Sequence, residues 1–436
     1  MNSLLRIPYA LAGSLAHALV RVVPAGESKF QRGLSSRRGI IERYEQWSST
    51  SRDPARPLVW LHAPSVGEGL QAQPVIELVR ARRPDVQIAY TFYSPSAQSL
   101  ALSLKADFAD YLPFDTFADA DAIIAALRPS ALIFSKLDIW PALTERAAAA
   151  RVPVGVISAT LAESSGRRGL FARALLEDAY LAIQRVGAID EKDAERFRQL
   201  GVRAERIEVT GDTRYDQVWT RALREPSALV QSLRSSRPTL VAGSTWPADE
   251  EHLFGAWRKV RDKIPDARLV IAPHELTTDH IASVEGWARR TNLRLERVDA
   301  GDTSDADVVL VDRYGILGDL YALADVAYVG GGFHSAGLHS VLEPAAFGAP
   351  VLFGPRHDQS RDARKLIEAG GGAAVIGVAD LSLRLGDWLG SLPARDSAGD
   401  AARSMVQEGT GAAKRSFALV SALLARSQPA PGGSAA

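Results

Sequence analysis

The chain has 436 residues, more than one typical domain contains, and this length predicts two domains. Apolar residues make up 46% and charged residues 23%, as in globular proteins and unlike disordered or coiled-coil chains. Lysine plus arginine equals aspartate plus glutamate at 51 each, so no overall basic field favours nucleic acid as a partner. The absence of cysteine excludes disulfides, thiolate metal sites and a cysteine nucleophile.

The first 24 residues form a basic and apolar segment. Residues 1–50 contain seven lysine or arginine residues and three glutamates, a local net charge of +4. The uncharged stretch Ile7–Val20 has fourteen residues, fewer than the roughly 20 that span a bilayer. Apolar residues recur every four positions at Ile7, Leu11, Leu15 and Leu19. Residues 1–24 are therefore predicted to be an amphipathic helix on a membrane surface. A helix packed only on its own protein and a signal peptide are the alternatives.

Short apolar runs alternate with helix-like segments from Leu58 onward, which is typical of parallel βαβ units. In the first half, predicted to be a domain over residues 25–225, the strand candidates are residues 59–63, 87–93, 131–136, 153–160, 186–190 and 207–212. In the second half, predicted to be a domain over residues 226–426, they are residues 239–245, 268–275, 307–312, 326–332 and 350–355. Residues 427–436 are predicted to be disordered. We therefore expect an α/β protein with two Rossmann-like, doubly wound domains facing a cleft.

Several polar residues follow the predicted strands of the first half, at the edge where such sheets bind ligands. Ser65 and Glu68 match the S-x-x-E capping box of a helix start, and Glu68 is also a candidate general base. Lys136 and Asp138 end a strand either as an ion pair or as ligand contacts. Arg214 is a candidate anion clamp.

In the second half, a glycine-rich turn runs into a helix over residues 330–344, GGGFHSAGLHSVLEP. This pattern predicts that backbone amides approach a phosphate, and that Glu343 accepts hydrogen bonds from a ribose. The alternative is a plain strand-to-helix turn. Ser244 and Thr245 form a second strand-to-helix turn, and His274 ends another strand. No metal-binding motif is present, so we predict no metal and no cofactor.

These segments, taken in order, resemble the 3-deoxy-D-manno-octulosonic acid (Kdo) transferases of lipopolysaccharide biosynthesis. The similar motifs are HAPSVGE (His62–Glu68), YTFYSPS, YLPFDT, SKLDIWP (Ser135–Pro141), GDTRYD, GSTW, APHE, ILGDLYALADVAYVGGGF and GLHSVLEPAAFGAPVLFGP (Gly337–Pro355). The resemblance extends from about residue 30 to residue 380, and the family also has an N-terminal membrane anchor.

The resemblance implies a GT-B fold, the donor CMP-Kdo and, as acceptor, the lipid A precursor lipid IVA. The protein would act at the cytoplasmic face of the inner membrane, bound peripherally or monotopically. Glu68 would be the base of an inverting transfer, without a metal or cofactor. By the same resemblance, the acceptor or Kdo is contacted by Ser65, Lys136, Asp138 and Arg214, and CMP by Ser244, Thr245, Pro273, His274, Leu317, Gly337, Ser340 and Glu343.

Three positions depart from the family pattern. His274 stands where the family has arginine, Ser340 where it has asparagine, and Lys136 where many members have an acid. Three alternatives therefore stay open. They are a GT-B transferase that uses a UDP-sugar on a lipid acceptor, a nucleotide-sugar epimerase and a non-catalytic binder of nucleotide sugars.

Overall fold

The computed structural model describes residues 1, 3–26, 28–163, 165–299 and 303–426. The predicted disordered tail, residues 427–436, lies outside the described residues. The chain divides into two compact units, which are Met1–Gln217 together with the segment from Thr410, and Val218–Gly409. We had placed the division at residue 225 and assigned residues 410–426 to the second half. The structure differs at both points.

The first unit contains a seven-stranded parallel sheet with strand order β3-β2-β1-β4-β5-β6-β7. The strands are β1 (Leu58–His62), β2 (Gln87–Phe92), β3 (Phe108–Tyr111), β4 (Ala131–Ser135), β5 (Val154–Ala159), β6 (Arg185–Ala188) and β7 (Ile207–Val209). The helices are α1 (Ser3–Val22), α2 (Lys29–Ser35), α3 (Ile40–Thr50), α4 (Val66–Arg82), α5 (Gln98–Ser103), α6 (Phe117–Leu127), α7 (Pro141–Ala149), α8 (Leu170–Ala182), α9 (Glu191–Gln199) and α10 (Thr213–Ala222), which ends in the second unit.

The second unit contains another seven-stranded parallel sheet, in the order β10-β11-β9-β8-β12-β13-β14. Its strands are β8 (Thr239–Thr245), β9 (Arg268–Pro273), β10 (Leu295–Arg297), β11 (Val308–Leu310), β12 (Val326–Val329), β13 (Val351–Phe353) and β14 (Gly372–Ala374). The helices are α11 (Ala228–Ser232), α12 (Pro247–Lys263), α13 (Thr278–Arg290), α14 (Leu317–Leu320), α15 (Leu342–Ala346), α16 (Arg361–Glu368), α17 (Val378–Gly390) and α18 (Leu392–Glu408).

Every predicted strand is present, but three strands were missed, and all three lie at a sheet edge. They are β3, β10 and β14. Central strands such as β1 and β4 are fully buried, so their sequences are continuous apolar runs. An edge strand is shorter and partly exposed, so its sequence carries a weaker apolar signal. The α/β class with two doubly wound sheets is confirmed.

The last helix, α19 (Ala412–Arg426), belongs to the first unit. Its buried side chains Leu419 and Leu423 join the core around β5, where Gly155 leaves them room. Asp216, on α10, accepts hydrogen bonds from the amides of Gly411 and Ala413 at 2.8 and 3.0 Å. The helix is amphipathic, and its apolar side chains are buried in the core of the first sheet.

The central strands of each sheet define its ligand-binding edge. In the first unit the chain leaves β1 toward β2 on one side and returns as β4 on the other, and in the second unit β8 and β12 are the corresponding pair. The loops after such a pair separate at the carboxyl edge of the sheet and leave a crevice. The residues that follow β1, β4, β8 and β12 are therefore the first place to look for a site.

Two glycines of the second unit give a test of close packing. A Cβ atom at Gly332, just after β12, would come within 2.6 Å of the Gly354 Cα atom, so Gly332→Ala forces backbone atoms apart. We expect a loss of about 1–3 kcal/mol, the usual cost of overpacking. A Cβ atom at Gly386, within α17, meets no heavy atom within 4 Å, so Gly386→Ala should gain up to about 1 kcal/mol of helix propensity. Urea unfolding measures the stability of both variants. Equal midpoints for Gly332→Ala and Gly386→Ala would contradict this account of their packing.

Candidate functional site

Glu68, Ser65 and Lys136 meet at the β1/β4 crevice of the first unit. Glu68 lies in the first turn of α4, and Lys136 directly follows β4. The Lys136 Nζ atom lies 3.0 Å from Glu68 Oε1, and the Ser65 hydroxyl donates a hydrogen bond to Glu68 Oε2. Ser65 caps no amide of α4, so the predicted capping box is not formed. The Ser65 and Glu68 side chains form a hydrogen bond with each other instead.

The surroundings of Glu68 favour its ionised form. Burial alone would raise the pKa of Glu68, but the Ser65 hydrogen bond and the Lys136 ammonium group outweigh burial, and the pKa lies below its ordinary value. The Glu68 side chain is 15% exposed, so the carboxylate stays within reach of a ligand. This arrangement provides a charged proton acceptor at neutral pH.

Lys136 and Asp138 do not pair with each other. The Asp138 carboxylate accepts a hydrogen bond from Arg167 at 2.9 Å. Burial raises the pKa of Asp138, and Glu68 adds to this effect, whereas Arg167 opposes it. Lys136 has a φ of 71°, a left-handed conformation that is uncommon outside glycine. In a regular strand the side chains of Lys136 and Asp138 would share one face, whereas here they contact different partners, Glu68 and Arg167.

The Arg214 guanidinium group faces an aspartate. Its Nε and Nη2 atoms donate to Asp212 Oδ2 at 2.8 and 2.6 Å. Asp212 also accepts hydrogen bonds from the Arg214 amide and from Gln71. The fork that we predicted as an anion clamp therefore holds a carboxylate of its own chain.

His62 lies at the end of β1, next to the crevice. It is fully buried at the end of β1, where it accepts a hydrogen bond from the Trp140 indole at 3.0 Å and contacts Thr91 at 2.9 Å. Burial lowers the pKa of His62 to about 3, so the ring stays neutral. His62 thus joins the end of β1 to the tryptophan that precedes α7.

The glycine-rich turn of the second unit is clamped by Asp249, which lies in the first turn of α12. The Asp249 carboxylate accepts hydrogen bonds from the amides of Gly331, Phe333 and Trp246 and from the Tyr328 hydroxyl, at 2.7 to 3.2 Å. Two amides of the turn, those of Gly331 and Phe333, therefore bind a carboxylate, and the predicted approach of a phosphate would fall to other amides of the turn.

Glu343 lies on α15 and pairs with Arg221 of α10 at 3.2 Å. Asp319 is a second, longer partner of Arg221 at 3.6 Å. Gly318 leaves room for the guanidinium group, because a Cβ atom there would lie 2.9 Å from Arg221 Cζ. Burial raises the pKa of Glu343, Arg221 opposes this effect, and Asp319 adds to it. No motif in the sequence signalled Arg221.

The other predicted donor residues of the second unit differ in how they can reach a ligand. The Thr245 hydroxyl is buried and donates to Glu250 at 2.7 Å, so it faces the interior. Ser244 has a φ of 54° at an irregularity of β8. The remaining predicted residues lie along the carboxyl edge or in the loops beyond it: Pro273 ends β9, His274 stacks on Trp246, Leu317 begins α14, Gly337 lies in the glycine-rich turn, and Ser340 is exposed before α15.

Within the part of the chain that the structure describes, no group of three or more His, Asp or Glu side chains could hold a metal ion. The site residues that sequence reasoning missed are Arg167, Arg221, Asp249 and His334. Only Asp249 had a local signal, since an acid three residues after Trp246 suits the first turn of a helix.

Solved structures with a similar fold include a putative UDP-N-acetylglucosamine 2-epimerase from Listeria monocytogenes, at 16% identity and a TM-score of 0.61 over 85% of this chain and 97% of that one. The UDP-GlcNAc 2-epimerase from Neisseria meningitidis has a TM-score of 0.61 at 13% identity, over 85% of this chain and all of its own. At these identities the likeness concerns the fold alone. The fold is GT-B, with two parallel seven-stranded sheets.

The sequence relatives of the chain share one description. Residues 33–217 match the family described as 3-deoxy-D-manno-octulosonic-acid transferase (kdotransferase). The 3-deoxy-D-manno-octulosonic acid transferase of Bordetella pertussis is 29% identical over 393 residues, 86% of this chain and 89% of the relative. That of Haemophilus influenzae is 27% identical over 400 residues, 89% of this chain and 92% of the relative. Over most of its length the chain is therefore similar to Kdo transferases, which are glycosyltransferases.

The Asp249 clamp can be tested by Asp249→Asn. An amide side chain has one acceptor oxygen instead of two, so backbone amides of the turn lose their partner, at about 1–3 kcal/mol for each buried group left unpaired. We expect faster hydrogen exchange at Gly331 and Phe333 and a lower melting temperature. The control is Asp262→Asn, an exposed aspartate on the same helix. If both variants exchange like the wild-type protein, the clamp is not needed.

Proposed function

We propose that this protein transfers Kdo from CMP-Kdo to a sugar hydroxyl of a lipid A precursor in lipopolysaccharide biosynthesis. Similarity to 3-deoxy-D-manno-octulosonic acid transferases over most of the chain supports Kdo as the transferred sugar. The Glu68 carboxylate supports the chemistry, because Ser65 and Lys136 keep it charged at the carboxyl edge of the first sheet. This carboxylate is the single observation on which the proposed mechanism depends.

In the proposed mechanism Glu68 accepts the proton of the acceptor hydroxyl. The acceptor oxygen then forms a bond to the anomeric carbon of Kdo, and the bond from that carbon to the CMP phosphate oxygen breaks. Attack on the face opposite the departing CMP inverts the anomeric configuration. Lys136 holds the carboxylate in place before the reaction and limits its basicity, because the nearby ammonium group lowers the pKa of Glu68.

We assign donor binding to the second unit. Glu343 would accept hydrogen bonds from the ribose, with Arg221 fixing the orientation of its carboxylate. Ser340, which is exposed before α15, and Gly337 would lie along the nucleotide. Thr245 would act indirectly, since its hydroxyl holds Glu250. Asp138 and Arg214 of the first unit, each already paired, would contact the acceptor or the Kdo carboxylate only by exchanging partners.

The decisive experiment combines the protein with CMP-Kdo and tetraacyl lipid IVA and measures the mass of the lipid product. We expect the mass of lipid IVA to increase by Kdo, and Glu68→Gln to reduce turnover at least about a hundredfold, as for other general bases. Binding of CMP should persist in that variant. Glu77→Gln, an exposed position on the same helix, is the matched control.

Three outcomes would contradict the proposal. A mass increase only with UDP-sugars would indicate another glycosyltransferase reaction. Conversion of a nucleotide sugar without transfer would indicate an epimerase. Near-normal turnover by Glu68→Gln would show that Glu68 is not the base, and it would leave the identity of the donor unaffected.

We further propose that α1 binds the surface of the inner membrane at its cytoplasmic face. Its polar face packs on the first unit, where Tyr9 donates to Asp115 at 2.5 Å and His17 contacts Asp119 at 2.7 Å. Its opposite face exposes Leu4 by 82%, Ile7 by 71%, Leu11 by 65% and Leu15 by 63%. Among the described helices, none is long and apolar enough to cross a membrane. An apolar stripe beside basic residues suits an interfacial helix.

The membrane proposal is tested by the double substitution Leu11→Gln with Leu15→Gln. Both side chains are exposed, so the variant should fold, but it loses much of the roughly 1.5–3 kcal/mol that each buried leucine contributes. We expect at least about tenfold weaker sedimentation with phosphatidylethanolamine and phosphatidylglycerol vesicles. The control replaces Leu102 and Leu392, which are exposed elsewhere, with Gln. Unchanged sedimentation of the α1 variant would refute the proposal.

A further inference from the structure

Four aromatic rings meet at the carboxyl edge of the second sheet. Trp246 follows β8, His274 follows β9, and His334 and His339 lie in the glycine-rich turn after β12. The Trp246 ring stacks on His334 with centroids 4.0 Å apart and on His274 with centroids 4.5 Å apart. The rings of His274 and His339 are also 4.5 Å apart. We call these four residues the histidine cluster.

Hydrogen bonds within the protein fix which ring nitrogens carry protons. The Trp246 indole donates to His339 Nε2 at 3.3 Å, so the proton of neutral His339 lies on Nδ1. The Ala336 amide donates to His334 Nδ1 at 3.1 Å, so the proton of neutral His334 lies on Nε2. Each ring therefore keeps one N–H group that forms no hydrogen bond with the described residues. All three histidine rings are only partly buried.

His274 and His339 are uncharged at neutral pH. Burial lowers the pKa of His339 to about 4, and the nearby His274 and His334 lower it further, whereas Asp249 opposes them. Burial also lowers the pKa of His274; Glu275 opposes this effect and His334 adds to it.

Asp249 and Glu275 are the acidic groups that act on these rings. The Asp249 carboxylate already accepts four hydrogen bonds, and Glu275 is exposed. A protonated ring in the cluster thus lacks a close anionic partner, which a ligand would supply.

We propose that the histidine cluster binds an oxyanion of the donor and takes up a proton when it does so. The oxyanion is either the phosphate of CMP or the carboxylate of the acidic sugar, since both accept hydrogen bonds from imidazolium groups. This inference rests on the proposed function, because it assumes a donor that carries such groups. The cluster lies beside β8 and β12, at the crevice of the second sheet.

Proton uptake makes donor binding dependent on pH. A bound oxyanion raises the pKa of the His274 or His339 ring that it contacts, and this pKa is lowered in the empty protein. Binding therefore tightens as the pH falls from the raised pKa toward the lowered one, by at most about tenfold per pH unit for one proton. Above the raised pKa the rings stay neutral in both states, and binding no longer changes with pH.

The test is isothermal titration calorimetry of the full-length protein between pH 6 and pH 8, in buffers of different ionisation enthalpy. The probes are CMP, free Kdo and cytidine, which has neither phosphate nor carboxylate. We expect net proton uptake with CMP if the phosphate occupies the cluster, with Kdo if the carboxylate does, and none with cytidine. The absence of uptake with both CMP and Kdo would overturn the inference.

Ring substitutions distinguish the effect of the histidine charge from the effect of ring packing. His274→Phe and His339→Phe keep an aromatic ring at each position but remove the N–H groups, so we expect smaller proton uptake and affinity that varies less with pH. The matched control is His252→Phe, because the His252 ring lies against Phe333 outside the cluster, with ring centroids 4.0 Å apart. Unchanged uptake in both cluster variants would contradict the inference, and circular dichroism confirms that each variant is folded.

The transfer assay with CMP-Kdo is run on the same protein. Kdo transfer without proton uptake on binding would refute oxyanion binding by the histidine cluster while leaving the proposed function intact. Proton uptake with CMP but no transfer would support oxyanion binding by the histidine cluster and refute the proposed reaction.

Discussion

The order of the parallel strands determines where this protein can bind a ligand. The chain leaves β1 on one side and returns as β4 on the other, and β8 and β12 repeat the arrangement. The loops after each pair separate and leave space at the carboxyl edge. Glu68, Lys136, Trp246 and the glycine-rich turn all follow these four strands. With this strand order, polar groups lie in the short loops after the strands, and the strands themselves remain buried.

Side chains, more than backbone amides, define the polar surface of both crevices. In the second unit Asp249 binds two amides of the glycine-rich turn, and the glycines allow close packing. A Cβ atom at Gly330, for example, would lie 2.7 Å from the Ser244 carbonyl carbon and the Thr245 Cα atom at the end of β8. In the first unit Lys136 and Ser65 hold the Glu68 carboxylate. In both units a carboxylate near the start of a helix has a partner at that helix start and another from a different element, Lys136 for Glu68 and the glycine-rich turn for Asp249.

Much of the fold followed from local sequence pattern. Buried central strands are continuous apolar runs, and this pattern located them to within a few residues. The edge strands β3, β10 and β14 were missed because partial exposure weakens the same signal. The helix α19 was assigned to the wrong half because amphipathic periodicity shows that a helix packs on a core but not on which core. Of the predicted apolar stripe of α1, Ile7, Leu11 and Leu15 are exposed together, whereas Leu19 is partly buried.

The sequence by itself determined the α/β class, the resemblance to Kdo transferases and the strand ends that carry polar residues, because these depend on residues close together in the chain. Only the tertiary structure decided the partners of those residues. Arg221 and Glu343 are 122 positions apart, and Lys136 and Glu68 are 68 apart. The stacking of His274 and His334 on Trp246 likewise needs three strands to be neighbours. Such contacts depend on the order of the strands and the direction of the loops. Burial of the whole sheet determines both, and a local sequence pattern carries no information about them.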